Sequence, residues 1–159
     1  MDIEALLPRP RSPRDYLALA TDPRVDVDGL QALAGNPYSF VRLAVASNVR
    51  TDAATLTGLL AGEFSRWERN HLLRVVAGHP QADRAVLLDV LNEVASLLAQ
   101  RDARPYAAAI TLAGRPELTP DEVRRLRRLP GASRRLRRGV EQAIANRGRP
   151  VGAATHDSA

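Results

Sequence analysis

Cysteine is absent from this 159-residue chain, lysine is absent too, and only six residues are aromatic. Without cysteine there can be no disulfide, no thiolate metal site and no cysteine nucleophile. His71 and His156 have no partner at metal-ligand spacing, and no His-x-x-x-His or paired acidic motif occurs. Ser47, Ser65 and Ser133 lack a nucleophile-elbow setting, and no glycine-rich loop is present to cradle a phosphate. A protein with no catalytic residues, no cofactor and no bound metal is expected. Long apolar runs are also missing, since nothing approaches the roughly 20 residues of a membrane span. The acidic start, Met1-Asp2-Ile3-Glu4, is not followed by an apolar stretch, so neither a secretory signal nor a membrane partner is expected. A cytoplasmic protein is the default expectation.

All 23 basic residues are arginine. Planar, bidentate anion recognition would favour arginine over lysine. The stronger explanation is GC-rich codon usage, because the arginines occur even in loops with no shared pattern, and a high-GC bacterium is the expected source. Hydrophobic content rests on Ala, Leu and Val, without the alternating β-branched runs that mark strands. The class is all-α.

What is present is a repeat. Ala20-Thr21-Asp22-Pro23, Ala46-Ser47-Asn48-Val49, Ala77-Gly78-His79-Pro80, Ala113-Gly114-Arg115-Pro116 and Ala145-Asn146-Arg147-Gly148 each end a helical stretch. Ten and thirteen residues after the first four alanines stand Leu30/Leu33, Leu56/Leu59, Leu87/Val90 and Val123/Leu126. Fixed offsets mean one unit repeated, which predicts a right-handed α-solenoid of about four antiparallel helix pairs. Residues 1–12, with Pro8 and Pro10, are expected to be an extended lead-in, 13–147 the helical-repeat domain, and 148–159 a disordered tail. Start signals are clear at Ser12-Pro13, at the capping box Ser65-Arg66-Trp67-Glu68, and at Thr119-Pro120-Asp121-Glu122. The last of these should open a helix to Leu129.

The segment Leu33-Ala34-Gly35-Asn36-Pro37 followed by Val41-Arg42-Leu43-Ala44-Val45-Ala46-Ser47-Asn48 resembles the leucine-rich repeat variant pattern. The resemblance is good over residues 17–62. Beyond Ala77 the repeats are longer and are equally similar to HEAT-like helix pairs. It implies a helical array and is nearly silent on activity. One member of the variant family carries a cysteine cluster for an iron–sulfur centre, which a chain without cysteine cannot have. Some DNA glycosylases are HEAT-like, but no aromatic and acidic constellation assembles around the single tryptophan here.

Charge is the second informative feature. Residues 1–114 hold 12 arginines against 13 acids, whereas residues 115–149 hold 11 against 4. Arg124, Arg125, Arg127 and Arg128 should lie opposite Val123, Leu126 and Leu129. Arg134, Arg135, Arg137 and Arg138 should lie away from the stripe of Leu136, Val140, Ala143 and Ile144. Such a cluster reads as a dock for an acidic protein, as a site for nucleic-acid phosphates, or as the solvated face of a terminal cap. A protein-interaction scaffold is the leading expectation and nucleic-acid binding through Arg124–Arg138 the alternative. Trp67, His71 and Arg74 share one side of their helix and form a second candidate contact patch. Packing of Trp67 against neighbouring helices is the expectation weighed more heavily.

Overall fold

The computed structural model describes residues 2–6, 12–101 and 103–148. Among these the fold is all-helical. The helices are α1 (Pro13–Thr21), α2 (Val27–Ala34), α3 (Ser39–Ser47), α4 (Ala53–Leu60), α5 (Arg66–Ala77), α6 (Arg84–Gln100), α7 (Tyr106–Ala113), α8 (Pro120–Arg124) and α9 (Arg134–Ala145). Ile3–Leu6 form a 3-10 turn inside the stretch expected to be extended. Past Gly148 the expected tail lies outside the described residues.

The start signals work as side-chain chemistry predicts. Ser65 and Glu68 cap each other, with Glu68 N–H on Ser65 Oγ at 3.3 Å and Ser65 N–H on a Glu68 carboxylate oxygen at 3.0 Å. Thr119 and Glu122 repeat the exchange at α8. Asp26, Asp52 and Asp83 each accept the backbone N–H three residues on. The helix opened by Thr119 does not continue to Leu129. It tightens into a 3-10 turn over Arg125–Arg128, and Leu129 is extended. Pro130 forces that change, because its ring disfavours helical geometry in the residue before it.

The repeat offsets mark the core. Ala20, Ala46, Ala77 and Ala113 are fully buried, and so are Leu30, Leu56, Leu87, Val90, Val123 and Leu126; Leu33 and Leu59 are nearly so. Small alanines at the ends of α1, α3, α5 and α7 let those helices approach closely. Only the fifth landmark, Ala145, is exposed, and it closes the last helix. Contacts run in succession: α1 lies against α3, α3 against α5, α5 against α7 and α7 against α9, while α2 touches α4 and α4 touches α6. The odd-numbered helices thus touch in one series, and α2, α4 and α6 in another.

The polar residue two places after each of the last four landmark alanines ties its turn to the preceding one. Asn48 Nδ2 donates to the Ala20 carbonyl at 2.9 Å. The buried His79 bonds through Nε2 to the Asn48 carbonyl at 2.8 Å, while its Nδ1 accepts the Gln81 N–H at 3.1 Å. That acceptance places the ring hydrogen on Nε2. Arg115 reaches the His79 and Ala82 carbonyls, and Arg147 the Ala113 and Leu118 carbonyls. These side chains bond carbonyls at the ends of α1 and α7 and in the turns between helices. His79 therefore has a structural role.

A second tie joins α3 to α5. Ser39 donates its hydroxyl hydrogen to Glu68 at 2.5 Å. This bond first, and then those from Ser65, hold the Glu68 carboxyl at about 2, against an ordinary value of 4.5. Glu122 is held at about 2 chiefly by Arg84. A carboxyl depressed by folding adds stability above its unfolded pKa and loses it as pH falls towards the folded value. Stability should therefore decline between about pH 4.5 and 2. Ser39→Ala should lower stability at neutral pH and shrink the difference between urea midpoints measured at pH 7 and pH 3.

Candidate functional site

The eight arginines of the basic segment fall into two sets. Arg124 lies against Glu141 at 3.1 Å and Asp121 at 3.3 Å, and Arg127 against Glu141 at 2.6 Å. Arg124, and to a lesser degree Arg127, holds the Glu141 carboxyl below the usual range. Arg125 donates to the Asn92 side-chain oxygen on α6 at 2.7 Å. These three bind the last turns to one another. Arg128, Arg134, Arg135, Arg137 and Arg138 are exposed, and none has a carboxylate partner among the described residues.

Position on α9 makes the second set informative. Arg134 and Arg135 occupy the first turn of α9, which contains no acid. By contrast, α1, α2, α5 and α8 open with Asp15, Asp28, Glu68, and Asp121 with Glu122. The N-terminal end of a helix carries partial positive charge, so cations there oppose the helix dipole. Codon usage bears only on the choice of arginine over lysine. It does not bear on two cations in a first turn where four other helices, α1, α2, α5 and α8, place an anion.

Arg134, Arg135 and Arg138, together with Gln142, rim a shallow groove of about 470 Å³ floored by Ile110 and Gly139. A Cβ at position 139 would stand 2.7 Å from Ile110 Cδ1, so the missing side chain lets α9 settle onto α7. The sequence reading found the arginines but not Ile110, Gly139 or Gln142. Those residues join the arginines only through the crossing of two helices. A comparable hollow of about 380 Å³ lies between the ends of α1 and α3. Its one charged lining residue, Arg50, is already engaged by the Pro23 carbonyl. Of these two hollows, the α7–α9 groove is the one that pairs an apolar floor with unneutralised charge.

Trp67 overturns the packing expectation: it is 74% exposed. Its ring runs nearly parallel to that of His71, with centroids 5.9 Å apart, and Arg74 Nη2 approaches His71 Nδ1 at 3.4 Å. The three side chains thus form a strip along the outside of α5. On the neighbouring α3, exposed Phe40 stacks with exposed Tyr38 at 5.6 Å. No group of three or more His, Cys, Asp or Glu is placed to hold a metal ion among the described residues, and no helix there is long and apolar enough to cross a membrane.

Compared with protein-family models, curated proteins and solved structures, the chain matches none of them.

Releasing the first set of arginines gives a test of this division. Glu141→Gln should free Arg124 and Arg127, raise affinity for an anionic peptide about threefold, and change stability by under about 1 kcal/mol. Fluorescence anisotropy and thermal unfolding measure the two effects.

Proposed function

We propose that this chain is a right-handed α-solenoid of about four antiparallel helix pairs, related to leucine-rich repeat variant and HEAT-like arrays. On this reading it is a non-catalytic, cytoplasmic interaction module whose partner is a protein with an acidic segment. The buried landmark alanines and the contact of each odd helix with the next odd helix support the architecture. One observation carries the functional reading: five exposed arginines lack carboxylate partners among the described residues, and three of them surround an apolar groove.

An apolar floor inside a cationic rim fits a peptide side chain flanked by carboxylates. Charge complementarity would supply encounter rate and specificity, and the groove would supply contact area. Nucleic acid is the second reading, favoured by an exposed tryptophan on the adjoining surface, since rings can stack on bases. The footprint weighs against it. A duplex-binding protein gathers roughly 6–10 phosphate contacts. Here the clustered arginines without a carboxylate partner among the described residues number five, on one helix and the turn before it, and residues 1–114 contribute no excess positive charge.

The test is a titration with a labelled glutamate-rich peptide and, separately, a single-stranded oligonucleotide, from low to physiological salt. The acidic-partner reading requires saturable peptide binding that weakens with salt. Absence of peptide binding at low salt, or oligonucleotide binding that is tighter at every salt concentration, would refute it.

A further inference from the structure

One exposed ring and one of the exposed arginines occupy the same place in the repeat, and a second ring stands one turn further along its helix. Trp67 stands ten residues before Ala77, and Arg135 ten before Ala145. His71 and Gly139 likewise stand six before those alanines, Phe40 six before Ala46, and Ala107 six before Ala113. At 3.6 residues per turn, equal offsets on successive helices of one series point the same way. At the offset of ten Trp67 and Arg135 are exposed, and at the offset of six Phe40 and Ala107 are exposed while His71 and Gly139 are partly so. The outer face of the odd-numbered series is thus aromatic on α3 and α5, small on α7 and cationic on α9.

We propose that this face holds one extended peptide segment of the partner, with an apolar or aromatic side chain on Trp67 and Phe40 and carboxylates on Arg134, Arg135 and Arg138. The inference rests on the acidic-partner reading and adds a second anchor, with a spacing, to it. Packed helices lie about 8–10 Å apart, so α5 and α9 are separated by roughly 16–20 Å. An extended chain covers that distance in about five or six residues at roughly 3.3 Å each. Ala107 leaves the path between the anchors low. Three of the chain's six aromatic residues, Tyr38, Phe40 and Trp67, are exposed at the anchoring end, although burying such rings is among the larger gains available to a fold. Their exposure is accounted for if a partner covers them.

Trp67 is the only tryptophan, so its emission reports occupancy of the first anchor directly. The probes are synthetic peptides with one phenylalanine, a proline-containing spacer of one, five or nine residues, and three glutamates, beside a peptide of glutamates alone. The protein should bind the five-residue spacer most tightly, on the order of 10-fold better than glutamates alone, with a blue shift of Trp67 emission. Phe40→Ala should abolish that advantage and reduce the shift. Trp67→Ala, followed by anisotropy of labelled peptides, should bring all four peptides to one affinity; because its side chain is exposed, helicity should be unchanged.

Equal affinity of the four peptides for the wild type, with unmoved emission, would sink the two-anchor inference and leave the acidic-partner reading standing. If no peptide binds, both fail. A blue shift produced by a single-stranded oligonucleotide and by none of the peptides would assign the face to nucleic acid and overturn the inference.

Discussion

Reversing Arg134, Arg135 and Arg138 to glutamate is expected to weaken binding of an acidic peptide at least about 100-fold while slightly raising the melting temperature. The loss follows from replacing attraction by repulsion at three rim positions, since juxtaposed like charges cost several kcal/mol in an interface. The gain follows from the helix dipole. Arg134 and Arg135 sit where the open N–H groups of α9 point, and an acid in that turn is worth about 0.3–1 kcal/mol more than a neutral residue. The apolar stripe of Leu136 and Val140, which docks α9, is untouched by the change. Anisotropy and thermal unfolding monitored by circular dichroism would report the two effects. A parallel Arg124→Glu, Arg127→Glu variant separates function from folding. Those residues are bonded to Glu141, so their reversal should lower stability and affect peptide binding less. If both variants lose stability and neither loses binding, the exposed arginines are only the polar end of the array.

The architecture was far more legible in the sequence than the site. The offsets from each landmark alanine to its paired hydrophobic residues identify side chains that are in fact buried, because a packed helix must repeat its apolar positions every turn. Capping residues announce most helix starts for a similarly local reason, as at Ser65 with Glu68 and at Thr119 with Glu122. What the sequence hid depends on contacts across the chain. Glu141 lies 14 and 17 residues from the arginines it neutralises, and nothing local marks it as their partner. Ile110 and Gly139 meet only because α7 crosses α9. The slot holding Asn48, His79 and Arg115 was recognisable as polar, but not as the place where each turn bonds to the preceding one. Trp67 was misjudged because a large ring is usually core, and exposure is a property of neighbours that the sequence does not name.

Gly131→Val should cost about 3 kcal/mol and, unlike the charge reversals, should remove stability and peptide binding together. A Cβ at position 131 would lie 2.5 Å from the Leu98 carbonyl oxygen and 3.1 Å from Leu98 Cα, both backbone atoms that cannot swing aside. The same residue donates its N–H to the Leu98 carbonyl at 2.9 Å and accepts the Tyr106 hydroxyl at 3.0 Å. One position thus fastens the turn before α9 to the end of α6 and the start of α7. Any side chain there must push the turn away and break both bonds. Since α9 carries the arginines and Gly139 seats them beside Ile110, displacement of that turn also opens the groove. For a chain of this length about 3 kcal/mol corresponds to a fall of roughly 6–12 °C in melting temperature. The decisive comparison is with Gly58→Ala. A Cβ at position 58 would meet nothing within 4 Å, so that variant should be neutral or slightly more stable and should bind peptide normally. If Gly131→Val melts like the wild type, α9 is not held by this turn, and the groove must owe its geometry to the α7–α9 contact alone.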